Sequence, residues 1–268
     1  MRKLLVLLLL LAPLHAAFDL RSADIEVIIS PSGEVHVTEK YDILVPSGFE
    51  TTTYNSLLSK PHDLATWSTS TNISELRLHV DRGVVSVDNL AIKPQPLSQC
   101  NPLSYICHGI IIVDYDVSPY PGTNTTIVAI MEYKPRTKRY TFNPSILSFL
   151  RSDAGDMLID SKTTLTFTLP KDSVIVSLNP LIGYSPSDFP LKGVSQVSFR
   201  NTILVQFSLV FEREESIIVE VSDFFSYLYL SLFSIFTKPE GVIMGAVIIL
   251  IVGVFIYAEK LRKGWKVG

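Results

Sequence analysis

The stretch DIEVIISPSGEVHVTEKYDILV, residues 24–45, decides the class of fold. Its first run alternates Ile25, Val27 and Ile29 against Asp24, Glu26 and Ile28. Its second alternates Val35 and Val37 against Glu34, His36 and Thr38. Ser30-Pro31-Ser32-Gly33 stands between them, a composition that turns the chain. Side chains of period two on either side of a turn give an antiparallel hairpin, with one face in a core and one toward solvent.

The same pattern runs outward from this hairpin. SELRLHV, with Leu76, Leu78 and Val80 inward and His79 outward, precedes Asp81-Arg82-Gly83 and VVSVDNLAI. GIIIVDYDV, TTIVAIMEY, KTTLTFTL, SVIVSL, VSQVSF, ILVQFSLVF and SIIVEVS are further strand candidates. Pro, Gly and Asn punctuate them, and no helical periodicity separates them. The expectation is a mainly β fold: an antiparallel β-sandwich over residues 18–222, as one large or two small sandwiches. FNPSILSFLRSD interrupts it, with Asn143 as N-cap, Pro144 at the first helical position and Ile146, Leu147, Phe149 and Leu150 as a buried face. A subdomain boundary is placed at 143–160. The polar stretch 51–72 reads as a surface excursion with one helical turn.

The two ends are apolar. Residues 1–17 carry Arg2 and Lys3, then Leu4 to Leu11, then Pro13, Ala16 and Ala17: the layout of a secretory signal peptide. Gly241 to Ala258 holds eighteen uncharged residues, which reach about 27 Å as a helix against a bilayer core of about 30 Å. This is the expected transmembrane helix, in preference to a buried helix of a soluble domain. The tail 259–268 is basic, with Lys260, Arg262, Lys263 and Lys266 against Glu259. Basic flanks stay cytoplasmic, so residues 18 to about 238 are expected outside a cell membrane and the C-terminus inside. Before the span, Asp223, Ser226, Ser231, Ser234, Thr237 and Lys238 fall within one stripe of about 140° when residues 223–238 are wound as a helix. An amphipathic helix in the headgroup layer is preferred to an extension of the span. Gly241 and Gly245 lie four apart, a spacing that lets two membrane helices approach.

The chain has 23 Lys and Arg against 26 Asp and Glu. The leader removes two basic residues, and the stretch from Glu240 removes four basic and two acidic ones. The region between keeps 17 basic and 24 acidic residues, a net charge of −7. That balance excludes a nucleic-acid partner, which wants a basic face. Cys100 and Cys107 are the only cysteines. In an oxidising compartment they are expected to form a disulfide closing a short loop, contributing about 2.5 kcal/mol. The alternative is a metal pair with His108, which lacks further ligands. Asn72 and Asn124 begin N-glycosylation sequons.

For chemistry, the sequence holds no Gly-x-Ser-x-Gly, no His-Glu-x-x-His and no nucleotide-binding loop, so no catalytic residue, metal or cofactor is assigned. His62-Asp63 could pair a base with its orienter, and Asp153, Asp156 and Asp160 could hold calcium, but a chance pair and a solvated turn explain them more simply. His36 and His79 are placed on exposed faces. Tyr133, Lys134, Arg136, Lys138, Arg139 and Tyr140 form the first choice of binding patch, suited to an acidic glycan, phosphate headgroups or a protein.

Gly33, Glu34, Val35, Val37, Thr38 and Glu39 resemble the opening of a family of prokaryotic predicted membrane proteins of unknown function, whose secreted ectodomains begin with a strand, a Gly turn and a Val-x-Val-Thr-Glu strand. LTFTLPKDSVIVSLNP, residues 165–180, resembles a strand–Leu-Pro–strand pattern of archaeal membrane-anchored β-sandwich ectodomains. The resemblance implies a prokaryotic origin and brings no catalytic residue. The expected function is a membrane-anchored binding or scaffolding protein, an accessory subunit or surface receptor, whose partners are the lipid bilayer and a membrane protein or a second copy. A membrane-tethered hydrolase and a structural envelope protein are the alternatives.

Overall fold

In the computed structural model the described residues are 17–215, apart from positions 47, 61, 62, 102, 104, 124, 135 and 182, together with 225–227, 229, 230 and 254. The chain divides into two units, Met1–Glu214 and Glu215–Gly268. In the second, the described residues from 225 onward are helical. The expected leader, span and basic tail, with Gly241 and Gly245, fall outside the described residues but for Ala17 and Val254, as does most of 223–238. Among the described residues, no helix is long and apolar enough to cross a membrane.

The first unit is mainly β. Its strands are β1 (Asp19–Ile29), β2 (Val35–Pro46), β3 (Val85–Pro94), β4 (Ser98–Asn101), β5 (Ile106–Pro119), β6 (Val128–Lys134), β7 (Thr137–Phe142), β8 (Leu150–Arg151), β9 (Met157–Thr168), β10 (Ser173–Asn179), β11 (Leu191–Lys192), β12 (Gln196–Leu204) and β13 (Ser208–Glu214). The large sheet runs β12-β9-β1-β2-β5-β3, with β4 on β5 and β8 on β9. The small sheet runs β11-β10-β13-β7-β6. The opening hairpin is as expected: Ile29 faces Val35 and Ile25 faces Glu39. Gly33 turns it at φ +86, a backbone region that suits glycine. The large sheet is mixed rather than antiparallel, because β1 also pairs β9 in parallel, Ile25 beside Leu165.

One face of the large sheet is buried along its length. Toward the Val35 end it meets the small sheet through rings: Phe142 of β7 stands edge-on to Phe167 of β9 at 5.0 Å. Phe207, just before β13, stacks on Phe167 at 5.3 Å and meets Phe199 of β12 edge-on at 5.5 Å. Toward the other end the cover is helical. Residues 51–72, expected as a surface excursion, form α1 (Phe49–Leu58) and α2 (Leu64–Thr71), and bury Tyr54, Leu57, Leu64 and Trp67. Neither helix has a regular apolar stripe, so periodicity misses them. A few large side chains do the work. Asp63 starts α2 as its N-cap, accepting from the N–H groups of Ala65 and Thr66 at 3.3 and 3.1 Å.

Two other expectations change. Residues 74–79 form no strand; they cross the core as a turn followed by bends, burying Leu76 and His79, and are anchored where Val80 bridges Leu147. The expected helix after Asn143 is one 3-10 turn, Pro144–Ile146. Asn143 caps it by accepting from the Ser145 N–H at 3.1 Å, and pairing at Val80 and in β8 then keeps the chain extended.

Gly109 of β5 marks the fit of α1. A Cβ there would lie 2.4 Å from a Tyr54 ring carbon. The ring is pinned: its hydroxyl donates to the Gln95 carbonyl at 2.7 Å, and Trp67 meets it edge-on at 5.1 Å. Gly109→Ala is expected to destabilise the protein by about 1–3 kcal/mol in denaturant unfolding, with part of the loss recovered when Tyr54 is shortened to Leu. A neutral Gly109→Ala would mean that α1 is not seated against β5.

Candidate functional site

The inward row of β2 is Val35, Val37, Glu39, Tyr41, Ile43 and Val45. One member is a carboxylate, fully buried. Burying a charge is unfavourable unless hydrogen bonds replace its water. Glu39 has four such contacts. Oε1 accepts from the Tyr115 hydroxyl at 2.5 Å and from the His79 backbone N–H at 2.8 Å. Oε2 faces the Tyr41 hydroxyl and, at 3.2 Å, His79 Nδ1. The Tyr41 hydroxyl also lies 2.6 Å from the Arg77 carbonyl oxygen. Burial pushes the Glu39 carboxyl up, but hydrogen bonds and charge from His79, with bonds from Tyr115 and Tyr41, outweigh it and hold the group below the ordinary glutamate range. Burial and the Glu39 charge push both tyrosines well above the ordinary phenol range, so they stay donors.

His79, expected on an exposed face, is therefore buried. Its ring lies 5.0 Å from that of Phe149 and lines a cavity of about 330 Å³ with Arg77, Glu75, Leu158 and Asp160. Asp160 is the one member of the Asp153, Asp156 and Asp160 trio that reaches it. The carboxylate of Asp156 accepts instead from the Gln206 N–H at 3.3 Å. Among the described residues no three His, Cys, Asp or Glu side chains gather as a metal site.

The opposite face of the large sheet is polar and half-buried to exposed. Its side chains form cross-strand pairs. His36 bonds Asp116 at 2.7 Å, and Asn89 bonds the same carboxylate at 2.7 Å. Thr38 and Lys93 both donate to Asp114, at 2.9 and 2.8 Å. Asp42 receives Arg21 at 3.1 Å and meets His108 Nδ1 at 2.9 Å. Near this last trio the face carries a groove of about 550 Å³, whose lining includes Asp24, Lys40, Thr164, Arg200 and, from β4, Ser98 and Gln99. The alternation of β2 puts Lys40 and Asp42 here, although the sequence does not show that β1, β2, β9 and β12 lie side by side.

The expected patch at 133–140 divides. Arg139 packs 3.6 Å over the Tyr133 ring centre and is held by Glu212 at 2.5 Å, Lys134 lies 5.0 Å from the same ring, and Arg136 pairs with Glu214 at 3.3 Å. Lys138 faces Glu132 and Arg213 across paired strands. Tyr140 points into the core, stacked on Phe211 at 4.8 Å and donating to the Pro31 carbonyl at 2.8 Å. Cys100 and Cys107 are joined by a disulfide, which ties β4 to the start of β5. Asn72 is exposed at the left-handed C-cap of α2. Asn124 and His62 lie outside the described residues.

No protein-family model and no curated protein matches the chain. Among solved structures it is similar to a yeast LTA4 hydrolase in complex with bestatin, at 9% identity and a TM-score of 0.26, over 74% of this chain and 29% of that one. A likeness of that size carries no argument.

The buried carboxylate makes a testable contribution. A glutamate held below its ordinary pKa stabilises the fold in full above about pH 4.3, and the contribution is lost as pH falls through the folded value. Glu39→Gln is expected to lower stability near neutral pH by about 3–5 kcal/mol and to flatten the acid limb of a stability–pH curve. Should it fail to fold, Tyr115→Phe removes one donor and is expected to cost about 1–3 kcal/mol. Variants with wild-type stability at pH 7 and an unchanged acid limb would show that Glu39 is not an anchoring charge.

Proposed function

We propose that the chain is a single-pass, membrane-anchored extracytoplasmic binding protein. On this reading a signal peptide exports a two-sheet sandwich, a helix over 223–238 lies at the headgroups, residues 241–258 span, and the open polar face of the large sheet receives the ligand or partner. The observation that carries it is the contrast between the sheet's two faces. The inner face is closed by a second sheet, two helices and an anchored crossing segment. The outer face is a broad array of ordered polar side chains in which carboxylates hold Arg21, Lys93 and His108. Such an array is prearranged for polar recognition, which favours specificity and association rate.

A membrane-tethered hydrolase is the second reading, and the His79 cavity favours it. His79 there has an acidic orienter in Glu39, the arrangement a general base requires, and Asp160 lines the same cavity.

The first measurement is extraction of the tagged full-length protein from its own host in mild detergent, with identification of what travels with it. A bound component is expected, and Lys40→Glu with Arg200→Glu should reduce it at least about fivefold while leaving the melting temperature unchanged, since both side chains are exposed. A wild-type protein that emerges alone, or a component indifferent to the double variant, would count against the open face. Hydrolysis of a broad substrate panel, abolished by His79→Gln in a variant that still unfolds cooperatively, would replace this reading with the second.

A further inference from the structure

We propose that the groove on the open face takes an acidic, hydroxyl-rich ligand, of the chemical class of a uronate-bearing polysaccharide. The proposal rests on the reading of that face as the binding surface and supplies its ligand class.

Most polar side chains of the face are paired with one another. One row is not. Lys40 of β2 stands opposite Asp24 of β1, Asp24 beside Thr164 of β9, and Thr164 opposite Arg200 of β12. Across paired strands, opposite charges at facing positions commonly bond. Here Asp24 and Lys40 have no side-chain hydrogen bond or ion pair among the described residues, and Arg200 uses only Nε, donating to the Ser161 carbonyl at 3.1 Å. The two terminal nitrogens of Arg200, the Lys40 ammonium and the Asp24 carboxylate are therefore free to meet a ligand. All are exposed, and all line the groove.

The order of charges selects the ligand. Strands stand about 4.8 Å apart, so Lys40 and Arg200 are about 14 Å apart at their backbones, with the Asp24 acceptor and the Thr164 hydroxyl between them. A ligand that fits must be anionic at its flanks and must donate hydrogen bonds in the middle. A uronate chain carries carboxylates and vicinal hydroxyls in alternation, which meets both requirements. Nucleic acid does not fit: its closely spaced phosphates would face Asp24 and Asp42. An apolar helix does not fit, because among the described residues Ile110 is the one aliphatic side chain in the lining. The wall formed by Ser98 and Gln99 belongs to β4, which the Cys100–Cys107 disulfide ties to β5, so less ordering is left for binding to impose.

The test is calorimetric titration of the full-length protein, in detergent, with oligogalacturonate at low and moderate salt. Neutral maltooligosaccharide and poly-glutamate of matched charge are the controls. Binding of oligogalacturonate alone is expected, weakened about tenfold or more by Lys40→Ala and by Arg200→Ala, the scale of one charge-assisted hydrogen bond. The deciding variant is Asp24→Asn. If Asp24 accepts hydroxyls, Asp24→Asn weakens binding; if the groove senses only charge, removing an anion from its floor tightens it. Tightening, or equal binding of poly-glutamate, would overturn the proposal. Should oligogalacturonate fail to bind while the co-purifying component still depends on Lys40 and Arg200, the ligand class falls and the binding face stands. If both fail, the face falls with it.

Discussion

A carboxylate in the middle of an apolar sheet face must be answered by donors, and at Glu39 those donors come from three places. Tyr41 is two residues along the same strand. Tyr115 is on the neighbouring strand. His79 is on neither, and it contributes through both its backbone and its ring. The charge therefore draws the crossing segment at 76–80 onto the centre of the large sheet, in the gap between the helices at one end and the small sheet at the other. Val80 then bridges Leu147, and Phe149 follows to the His79 ring. Take the charge away and the segment loses the hydrogen bonds of the His79 N–H and ring, keeping the Tyr41 hydroxyl on the Arg77 carbonyl and the Ser148 N–H on the His79 carbonyl at 2.9 Å.

The sheet-forming half of this fold is legible because the strands obey a period of two. The hairpin at 24–45 reads directly, and β5, β6, β9, β10 and β12 announce themselves in the same way. The helices do not. FETTTYNSLL and LATWSTST are rich in Thr and Ser, which suit loops as well as helices, and only Tyr54, Leu57, Leu64 and Trp67 commit them to the core. The parallel pairing of β1 with β9 is also hidden, because it joins residues about 140 apart with no local signal.

The site is half legible for a related reason. Extending the alternation Val35, Val37 by two more steps lands on Glu39 and Tyr41, and an acid in an inward phase is a flag that the strand pattern raises by itself. His79 gives the opposite impression: in a strand it would face solvent beside Leu78 and Val80, but the segment is no strand and the phase does not apply. Tyr133 and Tyr140, seven apart in a basic cluster, likewise suggest one patch. They lie on two strands of a hairpin, and a hairpin sends one ring to the surface and the other to the core.

The two faces of the large sheet are coupled through a single residue step. Glu39 and Lys40 are neighbours that point to opposite sides of β2. A slip of one residue in the pairing of β2 would send Lys40 into the apolar interior and leave Glu39 in the groove, because side chains alternate face at every step. Hydrophobic burial already resists that slip, since it would turn His36, Thr38, Lys40 and Asp42 inward in place of Val35, Val37, Tyr41 and Ile43. The Glu39 charge resists it strongly: in the slipped register the buried donors Tyr115 and His79 would confront an ammonium instead of a carboxylate. The inner row of β2, apolar side chains and Glu39 together, thus fixes which charges the outer face displays, and Lys40 and Asp42 owe their place to groups on the other side of the sheet.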